Sequence, residues 1–210
     1  MQTTLHPYYL QQMGIDVWTR RENKIKKKSL DDLAKEVFAC VRCPLHQCRT
    51  QTVFARGNPD AQLMIIGEAP GYYEDKEGLP FVGKAGGLLN KMLSSIGLSQ
   101  EDVYIANVLK CRPPHNRDPQ TDEIQQCRDF LIQQIACVAP KLILAVGRFS
   151  GGFLLDSSDP LHKMRNKIYD YHGISVLVTY HPAYLLRNPK DKKHAFNDLL
   201  MAKKILFGGG

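Results

Sequence analysis

The sequence has no long apolar run. Its longest unbroken aliphatic stretch is Leu142-Ile143-Leu144-Ala145-Val146, far short of the roughly 20 residues a membrane helix needs, so no membrane partner is expected. Met1 to Leu10 carries neither a leading positive charge nor an apolar core, which does not read as a signal peptide and gives a cytoplasmic expectation. Internal repeats are missing, and the only low-complexity tract is Gly208-Gly209-Gly210. Acidic residues are in deficit: 21 Asp and Glu face 28 Lys and Arg, for a net charge of +7. A pI near 9.1 favours an anionic partner, nucleic acid above all.

What is present is globular. Hydrophobic residues make up 43% of the 210 and charged residues 23%, so the chain is not a disordered one. A chain of this length buries about 70% of its unfolded surface and needs no staples. Residues 1–28, with the basic run Arg20 to Lys28, read as an extension. Residues 29–207 read as a single domain, expected to be a monomer.

Hydrophobic periodicity predicts alternating strands and helices. A helix opens at Ser29, with Leu30, Leu33, Ala34, Val37 and Phe38 on one face, and delivers the chain to Cys40. Strands are expected over 62–66, 103–106, 141–146 and 174–179, and helices around 88–96, 124–138 and 192–206. Pro113 to Pro119 is a loop by its proline content. This pattern predicts an α/β fold, a three-layer α/β/α sandwich over a mostly parallel four-stranded sheet. In such sheets ligands sit beyond the carboxyl ends of the strands. Glu68, Asn107 and His181 all fall there.

The six cysteines are Cys40, Cys43, Cys48, Cys111, Cys127 and Cys137. In a reducing compartment clustered Cys point to metal or redox chemistry. Cys40 and Cys43 form a C-x2-C pair, but no second tight pair follows as a zinc ribbon would require. One pair plus the dispersed Cys111 and Cys127 suits an iron–sulfur cluster better than zinc. Spacing alone leaves cluster, zinc and no metal all open. Cys48 could compete as a ligand, and Cys137 reads as a small core residue on its helix.

Four short motifs carry the chemistry. Gly67-Glu68-Ala69-Pro70-Gly71 is a turn through which backbone amides can approach a ligand. Pro80-Phe81-Val82-Gly83-Lys84-Ala85-Gly86 sets an aromatic in a glycine-flanked loop, either a core plug or a stacking platform. Asn107 precedes Lys110-Cys111-Arg112-Pro113-Pro114 and is either a cap or a recognition amide. His181-Pro182-Ala183-Tyr184-Leu185-Leu186-Arg187 puts a histidine at a strand exit.

Together and in this order, GEAPG at 67–71, PFVGKAG at 80–86, NVLKCRPP at 107–114 and HPAYLL at 181–186 resemble the signatures of the iron–sulfur, family-4 uracil-DNA glycosylases. The resemblance runs from about Cys40 to Leu206. It implies a uracil-DNA glycosylase fold and a [4Fe-4S] cluster held by Cys40, Cys43, Cys111 and Cys127, with Cys48 and Cys137 left out. It implies hydrolysis of the N-glycosidic bond of deoxyuridine in DNA, single- or double-stranded. Phe81 would stack on the flipped base, and Asn107 would match uracil N3–H and O4. His181 would donate to uracil O2 as negative charge grows there, joined by backbone amides of the turn that includes Ala69 and Gly71. The best-known glycosylase class carries a water-activating Asp at the position of Ala69. Glu68 and Glu74 are the acids left to orient water or balance the cationic sugar, and Glu74 could guard the uracil C5 edge beside Gly71. Leu185 and Leu186 are wedge candidates, with Arg187 and Lys84 as DNA contacts. Two rivals stand: a glycosylase relative that crosslinks to DNA through a histidine in a basic insertion, and a DNA-binding module that keeps its cluster for structure. No such insertion lies between Phe81 and Asn107, and pure binding would not require both Asn107 and His181.

Overall fold

A computed structural model describes Met13 and residues 28–208. The expected basic extension therefore lies almost wholly outside the described residues.

Each predicted strand forms, because its residues bury both faces. Strands β2 (Leu63–Gly67), β3 (Val103–Asn107), β4 (Leu142–Val146) and β6 (Ile174–Thr179) are parallel neighbours in the order β3-β2-β4-β6. Continuous apolar runs are what a sheet covered on both sides demands. Alternate side chains then sort into two cores. Leu63, Ile65, Val103, Ile105, Leu142 and Leu144 pack on one face, under helices α3 (Lys84–Ser94), α7 (Pro182–Arg187) and α8 (Lys192–Phe207). Met64, Ile66, Tyr104, Ala106, Ile143 and Ala145 pack on the other, under α4 (Thr121–Val138), α5 (Arg148–Leu155) and α6 (Leu161–Met164). This is the expected three-layer sandwich.

The sheet is wider than expected, with six strands and not four. Strand β1 (Arg56–Gly57) pairs antiparallel with β3, and β5 (Tyr169–Tyr171) pairs antiparallel with β6. Both are short and partly polar, so neither leaves an apolar run in the sequence. Short edges of this kind also discourage pairing with other chains.

Helix α1 (Leu30–Phe38) begins as predicted, with the Ser29 hydroxyl accepting the Asp32 N–H at 3.1 Å. Its Leu33 and Val37 build a third, smaller core with Leu45, Leu109 and Phe130 of α4. Cys111 and Cys127 belong to it, with Cys40 and Cys43 packed alongside. The remaining helix, α2 (Tyr72–Glu77), follows the GEAPG turn.

Candidate active site

The carboxyl ends of the parallel strands open onto a cavity of about 410 Å³. Glu68, Ala69, Gly71, Glu74, Phe81, Asn107, His181 and Arg187 all line it. Sequence placement had put three groups at strand exits, and the register explains why two of them meet: Gly67 pairs with Asn107 across β2 and β3.

Asn107 is 3% exposed, and among the described residues its Oδ1 has no hydrogen-bond partner. A buried amide oxygen left unpaired costs about 1–3 kcal/mol, so a donor that enters the cavity recovers that cost. Close packing holds the amide beside Phe81. A β-carbon on Gly67 would lie 2.2 Å from Asn107 Oδ1 and 2.8 Å from the Phe81 ring, so no other residue fits. Phe81 itself adopts a left-handed backbone, with φ +57°, which is unusual for a bulky side chain. The Arg56 guanidinium donates to its carbonyl at 3.1 Å, and Gly86 leaves room for that oxygen, which a β-carbon on residue 86 would meet at 1.6 Å.

His181 faces Phe81, with ring centroids 5.6 Å apart. Its Nδ1 accepts the Ala183 N–H at 3.1 Å, so in the neutral ring Nε2 carries the proton. Burial, aided by the Arg187 charge, pushes its pKa down to about 4. At neutral pH the ring is an uncharged donor of fixed tautomer.

Burial likewise pushes Glu68 up to about 7, with Asp118 adding to the rise and Arg148 opposing it. Glu74 accepts weakly from the Gly83 N–H at 3.4 Å, and its Oε2 lies 2.8 Å from where a β-carbon on residue 71 would stand. The glutamate thus occupies the space a larger residue 71 would take.

The DNA-contact candidates separate. Leu186 is 43% exposed, whereas Leu185 is 1% exposed and sits in the core under α7. Leu185 therefore cannot reach DNA; the helical turn of α7 points it inward. Arg187 is exposed at the cavity rim, and Lys84 is exposed on the first turn of α3, outside the cavity lining. Sequence reasoning missed Asn116, Arg117 and Asp118, which join the lining from the proline-rich loop. It also missed Arg56 and Lys110. Their signal was a charged residue inside an otherwise apolar stretch, as in Val108-Leu109-Lys110-Cys111.

Behind this cavity lies a second, far smaller one, of about 10 Å³, bordered by Cys40, Cys43, Cys111 and Cys127. Cys48 is exposed and outside it. Cys137 is not a core residue: it is half-buried and its thiol donates to the Lys28 carbonyl at 3.1 Å. The donor set fits a sulfur cluster. Arg49 donates to Cys111 Sγ at 3.0 Å and the Lys110 N–H approaches Cys127 Sγ at 3.4 Å, as sulfurs carrying negative charge require. Among the described residues no three His, Cys, Asp or Glu side chains are grouped to hold a single metal ion. Burial pushes the Cys43 and Cys111 thiols up, and Cys127 up to about 11.

Comparison with known proteins agrees with this geometry. The family model described as the uracil DNA glycosylase superfamily matches residues 54–202. A type-4 uracil-DNA glycosylase of Archaeoglobus fulgidus is 42% identical over 186 residues, 85% of this chain and 92% of that protein. One from Sulfurisphaera tokodaii is 45% identical, covering 84% of each chain. One from Thermotoga maritima is 40% identical, covering 86% and 96%. With the superfamily matched from the first edge strand to the last helix, and with these relatives aligned over nearly their whole length, the chain belongs to the type-4 uracil-DNA glycosylases.

Proposed function

We propose that this protein hydrolyses the N-glycosidic bond of deoxyuridine in DNA, releasing uracil and leaving an abasic site. The observation that carries the reading is the buried Asn107 amide with an unpartnered oxygen, framed by Phe81 and His181. Its Oδ1 accepts from uracil N3–H and its NH2 donates to O4. Cytosine presents the reverse pattern and leaves both groups mispaired, the strongest form of discrimination a site can build.

Phe81 stacks on the extruded base, whose flipping costs a few kcal/mol. As the C1′–N1 bond breaks, its electron pair moves to the uracil ring and charge collects on O2. The His181 Nε2–H donates there, with the backbone amides of the turn around Ala69 and Gly71. A donor already neutral and already oriented needs no reorganisation at the transition state. Water adds to C1′ and its proton passes to solvent, while uracil departs as the anion and is protonated once released. Ionised Glu68 orients that water and balances the cationic sugar, in place of the carboxylate that Ala69 lacks. Glu74, lying across residue 71, closes the C5 edge of the pocket against a thymine methyl.

Arg187 and Lys84 hold phosphates, and Leu186 fills the gap in the stack. Cys40, Cys43, Cys111 and Cys127 would hold a [4Fe-4S] cluster, whose bonds to the four sulfurs would tie the segment after α1 to α4. The fit rests on the four thiols around one cavity and the two N–H donors aimed at their sulfurs.

Incubation of the protein with a uracil-containing oligonucleotide, then alkali, tests the reaction. Strand cleavage only after alkali is expected, with free uracil recovered. A covalent protein–DNA adduct would establish the crosslinking relative, and intact DNA the non-catalytic module.

A further inference from the structure

Lys110 occupies an unusual place. It is 1% exposed and among the largest fully buried side chains. Its Nζ donates to the Asn107 carbonyl at 2.6 Å, while its own N–H approaches Cys127 Sγ and the residue lines the thiol cavity. Among the described residues no carboxylate pairs with it. An ammonium held out of water costs several kcal/mol even after relaxation, and one carbonyl does not offset that. Four thiolates around an iron–sulfur core carry net negative charge, and they lie where the lysine needs it. The two cavities also share a wall: Ala69 lines the first and packs on the core of the second, and Leu109 donates to the Glu68 carbonyl at 3.0 Å.

We propose that Lys110 is a positioning residue that joins the two sites, its charge held by the thiolate-bound cluster and its Nζ fixing the backbone of Asn107 for uracil recognition. The charge half rests on the reading that the four cysteines hold a cluster. The two halves have different requirements. Glutamine can donate to the Asn107 carbonyl without charge, arginine keeps the charge with another shape, and methionine supplies neither.

The test compares full-length wild type with K110M, K110Q and K110R, all purified anaerobically and checked for equal folding by circular dichroism. Iron loss to a chelator, reduction potential, and kcat and KM on single-stranded uracil DNA are measured. For K110M, iron loss about tenfold faster, a shifted potential and kcat about tenfold lower at near-constant KM are expected. K110Q should recover most of kcat without recovering iron retention, and K110R the reverse. Should K110M fail to fold, the opposed Gln and Arg patterns carry the comparison alone. A K110M enzyme with wild-type iron retention, potential and kcat would overturn the proposal. Equal kcat in K110Q and K110M would overturn its Asn107 half. Wild-type protein holding zinc and no iron would instead refute the cluster reading, and the charge half with it, leaving the kcat comparison to decide the other.

Discussion

Asn107→Asp tests base recognition through a property specific to this pocket. Ionised, the new carboxylate offers acceptors on both sides, so uracil O4 loses its donor and faces a negative charge. A lost buried partner costs about 1–3 kcal/mol, and taking the upper figure for a charged mismatch lowers kcat/KM by about a hundredfold. Yet residue 107 is only 3% exposed, and burial raises a carboxyl pKa because it disfavours the charged form. Below that raised pKa the group is a neutral acid, whose O–H donates to O4 and whose C=O accepts from N3–H. It then imitates the amide it replaced. Uracil excision by the variant should therefore recover as pH falls from 8 to 5. Rates are read as the ratio to wild type at each pH, which cancels the titration of Glu68 near 7. His181, at about 4, stays neutral throughout that window. Release of labelled uracil under single-turnover conditions measures the ratio. A ratio near one at pH 8, or one that does not rise towards pH 5, would refute the recognition role.

Three further outcomes are expected. In the proposed mechanism ionised Glu68 is the active form, so wild-type kcat should rise with pH through about 7, and Glu68→Gln should flatten that limb. Because the folded pKa lies above the unfolded one, stability is lost as pH rises between the two values, so the same variant should melt higher than wild type at pH 8 and alike at pH 4; equal melting at both would contradict the burial of this carboxyl. Leu186→Ala should slow excision from duplex DNA severalfold more than from single strands with melting unchanged, whereas Leu185→Ala should lose about 2–5 kcal/mol of stability and harm both substrates alike; the reverse assignment would return Leu185 to the surface. Anaerobic Cys111→Ser should bleach and lose iron, while Cys137→Ser keeps its colour, as iron and sulfide analysis will show; retained iron in Cys111→Ser would remove that ligand from the set.

Elements that bury apolar runs on both faces were legible in the sequence, and so was the convergence of Glu68, Asn107 and His181, since strand order alone sends all parallel carboxyl ends to one side. The edge strands were hidden by their shortness. One signal had been available for β5: His172-Gly173, with φ of +52° and +86°, forms the two-residue turn of a hairpin between Tyr171 and Ile174. The short helix α7 was unreadable because six residues hold too few turns for a period, and that is why Leu185 and Leu186 could not be told apart. Arg56 and Lys110 escaped for another reason. Burying a cation is unfavourable unless something distant in sequence compensates it, and sequence patterns do not report distant partners.

The charge arrangement explains how a basic protein comes to keep carboxylates in the place where a polyanion must enter. Arg187 and Arg117 stand at the cavity lining, Arg117 paired with Glu123, and Arg148 reaches the exposed Asp118 at 3.7 Å, so cations edge the approach. Inside are Glu68 and Glu74. Against the phosphates of bound DNA those two groups are repulsive, and they weaken ground-state binding. Against a sugar turning cationic as its base departs they are attractive. A group that opposes the substrate and favours the transition state lowers the barrier by both amounts, whereas added cations inside the cavity would tighten binding and slow the reaction. Placing positive charge on the rim and negative charge within assigns attraction to encounter and repulsion to the ground state. By the same logic His181 must be neutral: an imidazolium would stabilise the departing uracil anion, but it would also face the cationic sugar.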